Sequence, residues 1–296
     1  MAPALNETSR KVCVMDASGY VGSSLVEQLI LRGYTVHAAA QNYGDLQVLQ
    51  RLIGDTKNLK IFESDPLDYH SVIDALKGCS ALFYSFEPPQ GQHIIDEYMA
   101  DEEVRAAHNV LEACAQTDTI EKVVFTSSAT AVIWRGDCDS KQDFDERNWS
   151  DVNFCRKFKL WHALSKTVAE KTAWSLAMDR GVHMVSINAG LLAGPDLSIK
   201  NPYLKGAAQM YEDGVLVTVD IKQLIEAHIC VFEDISTFGR YLCFNHVVNH
   251  PKDAAKFARS LMPLSASSLP QSFEDERIFQ QRISCKKLEK VMMDFK

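Results

Sequence analysis

The segment from Lys11 to Gly33 constrains the fold of this chain more than any other. An apolar run of strand length, residues 12–15, leads into a turn of small residues, and a stretch with apolar residues at helical spacing follows. Gly33 stands where glycine commonly ends a helix, and residues 35–40 form a second strand-like run. This order of strand, glycine turn, helix and strand predicts a parallel βαβ unit.

The turn between the first strand and the helix is predicted to hold the pyrophosphate of a dinucleotide. Gly19 would let the backbone approach the phosphates, and Gly22 would let the helix pack closely against the strand. Unpaired N–H groups at the start of the helix would then meet the negative charge. The candidate contacts are Asp16, Ser18, Gly19, Tyr20, Val21 and Gly22. In this context the glycine pattern predicts a Rossmann-type dinucleotide-binding fold.

One residue of the turn departs from the glycine-rich pattern. Asp16 stands where the first glycine is expected, and aspartate tolerates unusual backbone angles better than most residues. Two interpretations of its carboxylate stay open. In one it lies beside the pyrophosphate and repels it; in the other it points to solvent or caps the helix start, where an acid is favourable.

Strands and helices continue to alternate as far as residue 189. Further strands are predicted at 58–63, 81–86, 122–127 and 183–189, with helices at 69–77, 100–116 and 160–180. Strands that are continuous apolar runs are typical of a parallel sheet covered on both faces, and right-handed crossovers make it doubly wound. We therefore predict an α/β fold with a dinucleotide-binding domain at residues 1–189.

The alternation changes beyond residue 190. A helix is predicted at 221–233, a strand at 240–245 that could return to the main sheet, and two helices in the tail around residues 264–270. We interpret residues 190–296 mainly as a smaller substrate-binding lobe. It would close over the carboxyl ends of the strands, where ligands of open α/β sheets bind.

Composition argues against several classes of function. A net charge of −8 disfavours nucleic acid or an anionic membrane as the main partner, and no apolar run approaches the ~18 residues of a membrane span. The eight cysteines include no CxxC pair, which indicates reduced thiols in a soluble, cytoplasmic protein. His246 and His250 are four apart, but nothing completes a metal set, so no metal is expected.

Candidate chemistry lies on the predicted helix at 160–180. His162 and Lys166 are four residues apart and share one face, which continues as small apolar residues toward the sheet. Lysine is rarely buried without a partner, and the alternative is a side chain that reaches solvent. Ser128, at the end of the fifth strand, would complete a carbonyl or oxyanion site. The aromatic residues Trp149, Phe154 and Trp161 would frame a substrate pocket or belong to the core.

The chain resembles plant cinnamoyl-CoA reductase-like and dihydroflavonol-reductase-like members of the extended short-chain dehydrogenases. The shared motifs cover nearly the whole chain: ASGYVGS (17–23), RGYTV (32–36), NVLEAC (109–114), KVVFTSSA (122–129), WSDVNFC (149–155), SKTVAEKTAW (165–174) and GRYLC (239–243). The resemblance implies a nicotinamide coenzyme, NADP(H) with NAD(H) as the alternative, that gives hydride to a carbonyl.

The resemblance also implies roles for individual residues. In such reductases a serine holds the carbonyl oxygen, a tyrosine four residues before a lysine gives the proton, and the lysine binds the ribose and lowers the pKa of the tyrosine. Ser128 matches the serine, Lys166 the lysine, and Asp65 the acid that contacts the adenine; Ser85 is a further coenzyme contact.

The departures from the family pattern fall in the site. Gln41 stands where NADP-using relatives have an arginine for the 2′-phosphate, and Phe86 replaces a small residue after the fourth strand. These changes, with Asp16, predict that coenzyme binding is weak. The position of the tyrosine is occupied by His162.

A histidine is a different proton donor from a tyrosine. An ammonium at ~5 Å, with an effective dielectric of ~20, would disfavour an imidazolium at His162 by about 3 kcal/mol. Neutral imidazole is a poor acid, and loss of a positioned acid costs on the order of 10² to 10⁴ in rate. The alternative is that His162 only fills the space of the tyrosine and hydrogen-bonds Ser128.

Two functions therefore stay open. The first is an NADP(H)-dependent oxidoreductase acting on a phenylpropanoid-type carbonyl or thioester, with Ser128, His162 and Lys166 as its catalytic residues. The second is a catalytically impaired pseudoenzyme that binds a ligand or a protein partner through the same cleft. In both we expect a monomer or homodimer that binds a small phenolic molecule, without nucleic acid or membrane partners.

Overall fold

The fold is described by a computed structural model that covers residues 11–54, 56–86, 97–136, 143–194, 197–261 and 277–295. Its strands are β1 (Lys11–Met15), β2 (Thr35–Ala40), β3 (Leu59–Glu63), β4 (Ala81–Tyr84), β5 (Lys122–Ser128), β6 (Met184–Ala189), β7 (Leu191–Ala193), β8 (Val217–Asp220), β9 (Gly239–Cys243) and β10 (His246–Val247). Its helices are α1 (Tyr20–Leu31), α2 (Tyr43–Ile53), α3 (Tyr69–Leu76), α4 (Glu97–Ala115), α5 (Thr130–Ile133), α6 (Val152–Lys157), α7 (Trp161–Arg180), α8 (Ala207–Glu212), α9 (Ile221–Glu233), α10 (Pro251–Ser260) and α11 (Lys286–Phe295).

The main sheet has the doubly wound order predicted from the sequence. Within the described residues seven parallel strands pair in the order β3-β2-β1-β4-β5-β6-β9. The order reverses between β1 and β4, and such a switch point opens a crevice at the carboxyl ends of the strands. The α/β prediction is therefore confirmed, and the glycine turn, which follows β1, lies at this crevice.

Helices cover both faces of the sheet. On one face α1 and α9 pack into a core through residues such as Leu25 and Leu224. On the other face α3, α4 and α7 bury a second cluster, in which α7 contributes Ala169, Ala173 and Ala177. These small side chains let α7 lie close to its neighbours, as the inward stripe predicted.

Local signals in the sequence account for several element ends. Helix α1 stops just before Gly33, which has φ 86°, and the side chain of Asp68 accepts a hydrogen bond from His70 N at the start of α3. Strand β4 ends at Tyr84, two residues before the predicted end. Helix α2 was not predicted, because its apolar residues stand among Gln, Gly and Asp.

The last third of the chain is mixed in structure. Strand β9 pairs with β6 in the main sheet, while β7, β8 and β10 form a small second sheet in the described residues. The predicted tail helices around residues 264–270 lie outside the described residues. In the described part of the chain no helix is long and apolar enough to cross a membrane.

Candidate functional site

The glycine turn brings β1 and α1 into close contact. Asp16 has φ 64°, in the left-handed region, and its carbonyl oxygen accepts a hydrogen bond from Gly19 N at 3.2 Å. A Cβ atom added to Gly22 would collide with this carbonyl oxygen. The turn therefore forms with an aspartate at its first position, and Gly22 permits the close packing expected of it.

The carboxylate of Asp16 does not point to solvent. The residue is partly buried, and its Oδ2 atom is shielded from water. Burial raises the pKa of the nearby Tyr84 phenol, and the carboxylates of Glu103 and Asp16 add to this shift. This burial argues against a carboxylate that points wholly to solvent, and it places the carboxylate close to Tyr84.

Gln41 and Asp65 meet at the carboxyl ends of β2 and β3. The amide Nε2 of Gln41 donates to Asp65 Oδ1 at 3.3 Å, and the same oxygen accepts from Leu67 N at 2.9 Å. The sequence from 33 to 50 contains no lysine or arginine. Gln41 and Asp65, which the resemblance assigns to the adenosine, therefore lie side by side. Residues 33–50 supply no positive charge that could pair with a 2′-phosphate.

A chain of three side chains links β5, α5 and α7. Thr130 Oγ1 donates to Ser128 Oγ at 3.0 Å and lies 3.1 Å from His162 Nδ1. With the hydroxyl proton of Thr130 on Ser128, the arrangement fits the tautomer of His162 that carries its proton on Nδ1 and donates it to Thr130. The bond considered between His162 and Ser128 is therefore made through Thr130, a residue that the sequence reasoning missed.

The hydroxyl oxygen of Ser128 is held by Thr130. Its oxygen accepts two hydrogen bonds, from Thr130 N at 3.2 Å and from Thr130 Oγ1. A hydroxyl has two acceptor sites and one proton to donate. With both acceptor sites filled, the proton of Ser128 is left for an oxygen atom such as a substrate carbonyl.

Lys166 is buried in an ion pair. Its Nζ lies 2.7 Å from Glu103 Oε1, and the two side chains are only 14% and 6% exposed. The ammonium also donates to the carbonyl oxygen of Phe86 at 3.1 Å, and Ser165 Oγ donates to the second carboxylate oxygen of Glu103. The interpretation of Lys166 as a lysine that reaches solvent is excluded. Glu103 is a second residue that the sequence reasoning missed.

His162 is neutral at physiological pH. Burial lowers the pKa of His162 to about 3, and the charge of Lys166 adds to the shift. The neutral form was expected, but burial rather than Lys166 is the larger cause. His162 therefore cannot act as a cationic acid near pH 7.

The depressed pKa makes stability depend on pH. Unfolded histidine titrates near ~6.5, so between pH 6.5 and about 3 the unfolded state binds a proton at His162 that the folded state does not. Stability is therefore lost as pH falls through this range.

From pH 7 to pH 5 we expect the unfolding free energy of the wild type to fall by about 2 kcal/mol more than that of His162→Gln. Urea denaturation at both pH values measures this. Equal losses would contradict it, since all other histidines are shared by the two proteins.

A buried charge network lies one turn further along α7. Glu170, fully buried, is held by Arg240 through two hydrogen bonds of 2.8 and 3.1 Å. Its carboxylate also accepts from Ser127 at 2.8 Å and from residues Ser186 and Asn188 of β6. The network therefore joins the helix that carries Lys166 to the strand that carries Ser128.

The aromatic residues divide between this network and the candidate pocket. Trp149 lies under the guanidinium of Arg240, whose Cζ atom is 3.6 Å from the centroid of the ring, so its ring packs on this network. Phe154 stacks on Trp134 at 6.3 Å between ring centroids, and Tyr203 lies 5.8 Å from the ring of His162. Of these rings, Tyr203 is next to the hydroxyl chain, while Phe154 and Trp134 pack in the core cluster of the same region.

The crevice fits a nicotinamide dinucleotide. Helix α1 starts at the switch point with no acidic residue in its first turn, and Gln41 and Asp65, which the resemblance assigns to the adenosine, are hydrogen-bonded to each other. Lys166 uses two of its three protons on protein acceptors in the described residues, which leaves one for a ribose hydroxyl. Ser85 follows β4 and is partly buried.

Comparison with known proteins identifies the family. The pattern described as the NAD dependent epimerase/dehydratase family matches residues 12–224. Cinnamoyl-CoA reductase 1 of Petunia hybrida is 36% identical, over 85% of this chain and 77% of the relative. Tetraketide alpha-pyrone reductase 1 of Arabidopsis thaliana is 30% identical, over 99% of this chain and 93% of the relative.

The solved structure of vestitone reductase from alfalfa (Medicago sativa) is also similar. It has a TM-score of 0.72 and 26% identity, and covers 97% of this chain and 93% of that one. The fold therefore agrees with the sequence matches. The chain belongs to the NAD-dependent epimerase/dehydratase family, as an extended short-chain dehydrogenase similar to the cinnamoyl-CoA reductases.

Proposed function

We propose that this protein is a nicotinamide-dependent reductase of a phenylpropanoid-type carbonyl or thioester. The observation that carries the proposal is the hydroxyl chain from His162 through Thr130 to Ser128, in which each group donates toward the next. Its last proton, on Ser128, is left for a ligand oxygen. Relatives named cinnamoyl-CoA reductase support this class of substrate.

The chain of hydroxyls can deliver a proton without a tyrosine. A bound nicotinamide coenzyme would supply the hydride to the carbonyl carbon. As negative charge develops on the carbonyl oxygen, Ser128 gives it a proton, Thr130 replaces the proton of Ser128, and Nδ1 of His162 replaces that of Thr130. Water returns a proton at Nε2 of His162, so the imidazole stays neutral overall. With an aldehyde or ketone the products are the alcohol and the oxidised coenzyme; with a thioester the same addition gives a thiohemiacetal, whose C–S bond then breaks to release the thiol and leave the aldehyde.

The proposed coenzyme is NADP(H), with NAD(H) as the alternative. The resemblance favours NADP(H), and solved structures of the same fold bind NADPH or NAD. Gln41 offers only a neutral amide to a 2′-phosphate, and Asp65 adds a carboxylate beside it. We therefore expect affinities for the two coenzymes to differ less than in relatives with an arginine at this position.

One observation favours the alternative of a pseudoenzyme that binds a ligand or protein partner. The charge of Lys166 is offset by Glu103, and its ammonium is turned partly to the carbonyl oxygen of Phe86. Such a site would bind coenzyme weakly and retain the cleft. Turnover that disappears in Lys166→Ala would exclude this alternative.

The decisive measurement is nicotinamide oxidation by the purified protein. We expect slow oxidation of NADPH or NADH with at least one of a panel of hydroxycinnamoyl thioesters, aldehydes and ketones. His162→Tyr should raise kcat about tenfold, because a phenol is a better proton donor than a neutral imidazole. Failure of both proteins to oxidise either coenzyme across the panel would overturn the proposal.

A further inference from the structure

Glu103 is an acid on the inward face of α4. The residue is only 5% exposed, and its carboxylate is used at both oxygens, by Lys166 at 2.7 Å and by Ser165. Carboxylates are rarely buried without a partner, and here the partner is a residue that the family pattern assigns to the coenzyme. Glu103 is therefore paired with the lysine that the resemblance assigns to the coenzyme.

The ammonium of Lys166 is held from three sides. Helix α7 carries it, Glu103 on α4 forms the ion pair, and the carbonyl oxygen of Phe86 after β4 accepts a further hydrogen bond at 3.1 Å. Phe86 is itself fixed in the core cluster that contains Met15 and Tyr84. An ammonium in this position has little freedom to follow a ligand.

The ion pair also changes the charge of the crevice. A buried lysine without a counter-charge would attract phosphates strongly, whereas a neutral pair acts on them only as a dipole. Asp16, at the glycine turn, adds a negative charge nearby. Among the charged groups that the structure describes around Tyr84 and Lys166, two carboxylates, those of Glu103 and Asp16, stand against one ammonium.

We propose that Glu103 is a positioning residue that fixes the ammonium of Lys166 against α4 and thereby weakens the attraction of the crevice for the ribose and phosphates of a nicotinamide coenzyme. This inference rests on the proposed function, because it concerns the same coenzyme site. Weak coenzyme binding by this chain is then caused by one acid, Glu103, and not by loss of the whole site.

The test is calorimetric titration of the full chain with NADPH and NADH. Glu103→Gln keeps the size of the side chain and removes its charge, which frees the charge of Lys166 for the coenzyme. We expect the dissociation constant to fall about tenfold, equivalent to about 1.4 kcal/mol. The gain should shrink as salt is raised, because it is electrostatic.

Matched variants separate this effect from a structural one. Glu102→Gln removes the same charge from the neighbouring position on α4, where the side chain lies 3.7 Å from Arg105, and it should leave coenzyme affinity unchanged. Glu103→Ala is a second variant, because alanine is favourable in a helix, and we expect the same gain in coenzyme affinity as in Glu103→Gln. Thermal unfolding of each variant checks the fold.

Each outcome decides the inference. Tighter binding by the Glu103 variants supports it, even if the wild-type protein turns over no substrate and the proposed function fails. Unchanged or weaker binding overturns it, even if the wild-type protein proves to be an active reductase. Absence of binding by wild type and variants alike also overturns it, because removal of the carboxylate then does not open the site.

Discussion

Glu170→Gln is expected to lower the free energy of unfolding by about 3–5 kcal/mol, the cost of leaving one charge of a buried pair uncompensated. Glu170 and Arg240 are 0% and 7% exposed, so water cannot replace the lost partner. The substitution keeps the size of the side chain, and the loss therefore reports on charge rather than on a cavity.

Urea denaturation gives the comparison, with Glu112→Gln as the control. The carboxylate of Glu112 pairs with Arg180 at 3.2 Å on the surface, where both side chains are partly exposed. Exposed pairs contribute about 0–1 kcal/mol, so the control should lose little. A Glu170→Gln protein as stable as the control would show that the buried pair does not hold α7 to the sheet.

Thr130→Val is expected to reduce kcat by about 10²-fold, because it breaks the route of the proton while keeping the shape of the side chain. Ser128 would lose the hydroxyl that replaces its proton, and Nδ1 of His162 would lose its acceptor. Coenzyme affinity should stay the same, since Thr130 lies on the substrate side of the proposed relay. Steady-state kinetics with the best substrate of the panel, together with calorimetry, separates the two effects.

Two further variants test whether the hydroxyl itself matters. Thr130→Ser keeps it and should retain most of the rate. Thr167→Val removes a buried hydroxyl from α7, where Thr167 Oγ1 donates to Ala163 O at 2.6 Å, and should change kcat less than about threefold. Equal rates in Thr130→Val and the wild type would contradict the relay.

The main architecture follows from local signals in the sequence. Apolar runs of strand length alternate with helical spacing, and Gly33 marks the end of α1, so the order of the sheet was predictable as far as β6. The small second sheet was not predictable, because β7 and β10 are only three and two residues long. Strands of two or three residues are too short to show the alternation of apolar and polar residues that predicts a strand.

The site was predictable only in part. Ser128 and Lys166 stand out through motif and spacing, but the acid that pairs with Lys166 lies elsewhere in the chain: Glu103 is 63 residues away. A signal existed, because Glu103 shares the inward face of α4 with Ala107, four residues later. An inward lysine and an inward acid on neighbouring helices would have predicted the ion pair.

The left-handed backbone at Asp16 has a consequence for redesign of the turn. Asparagine and glycine accept this conformation as readily as aspartate, so the side chain here is free to vary in charge while the path of the chain stays fixed. Backbone shape and side-chain charge are thus separable properties of the glycine turn, because asparagine at this position would keep the left-handed conformation and remove the carboxylate.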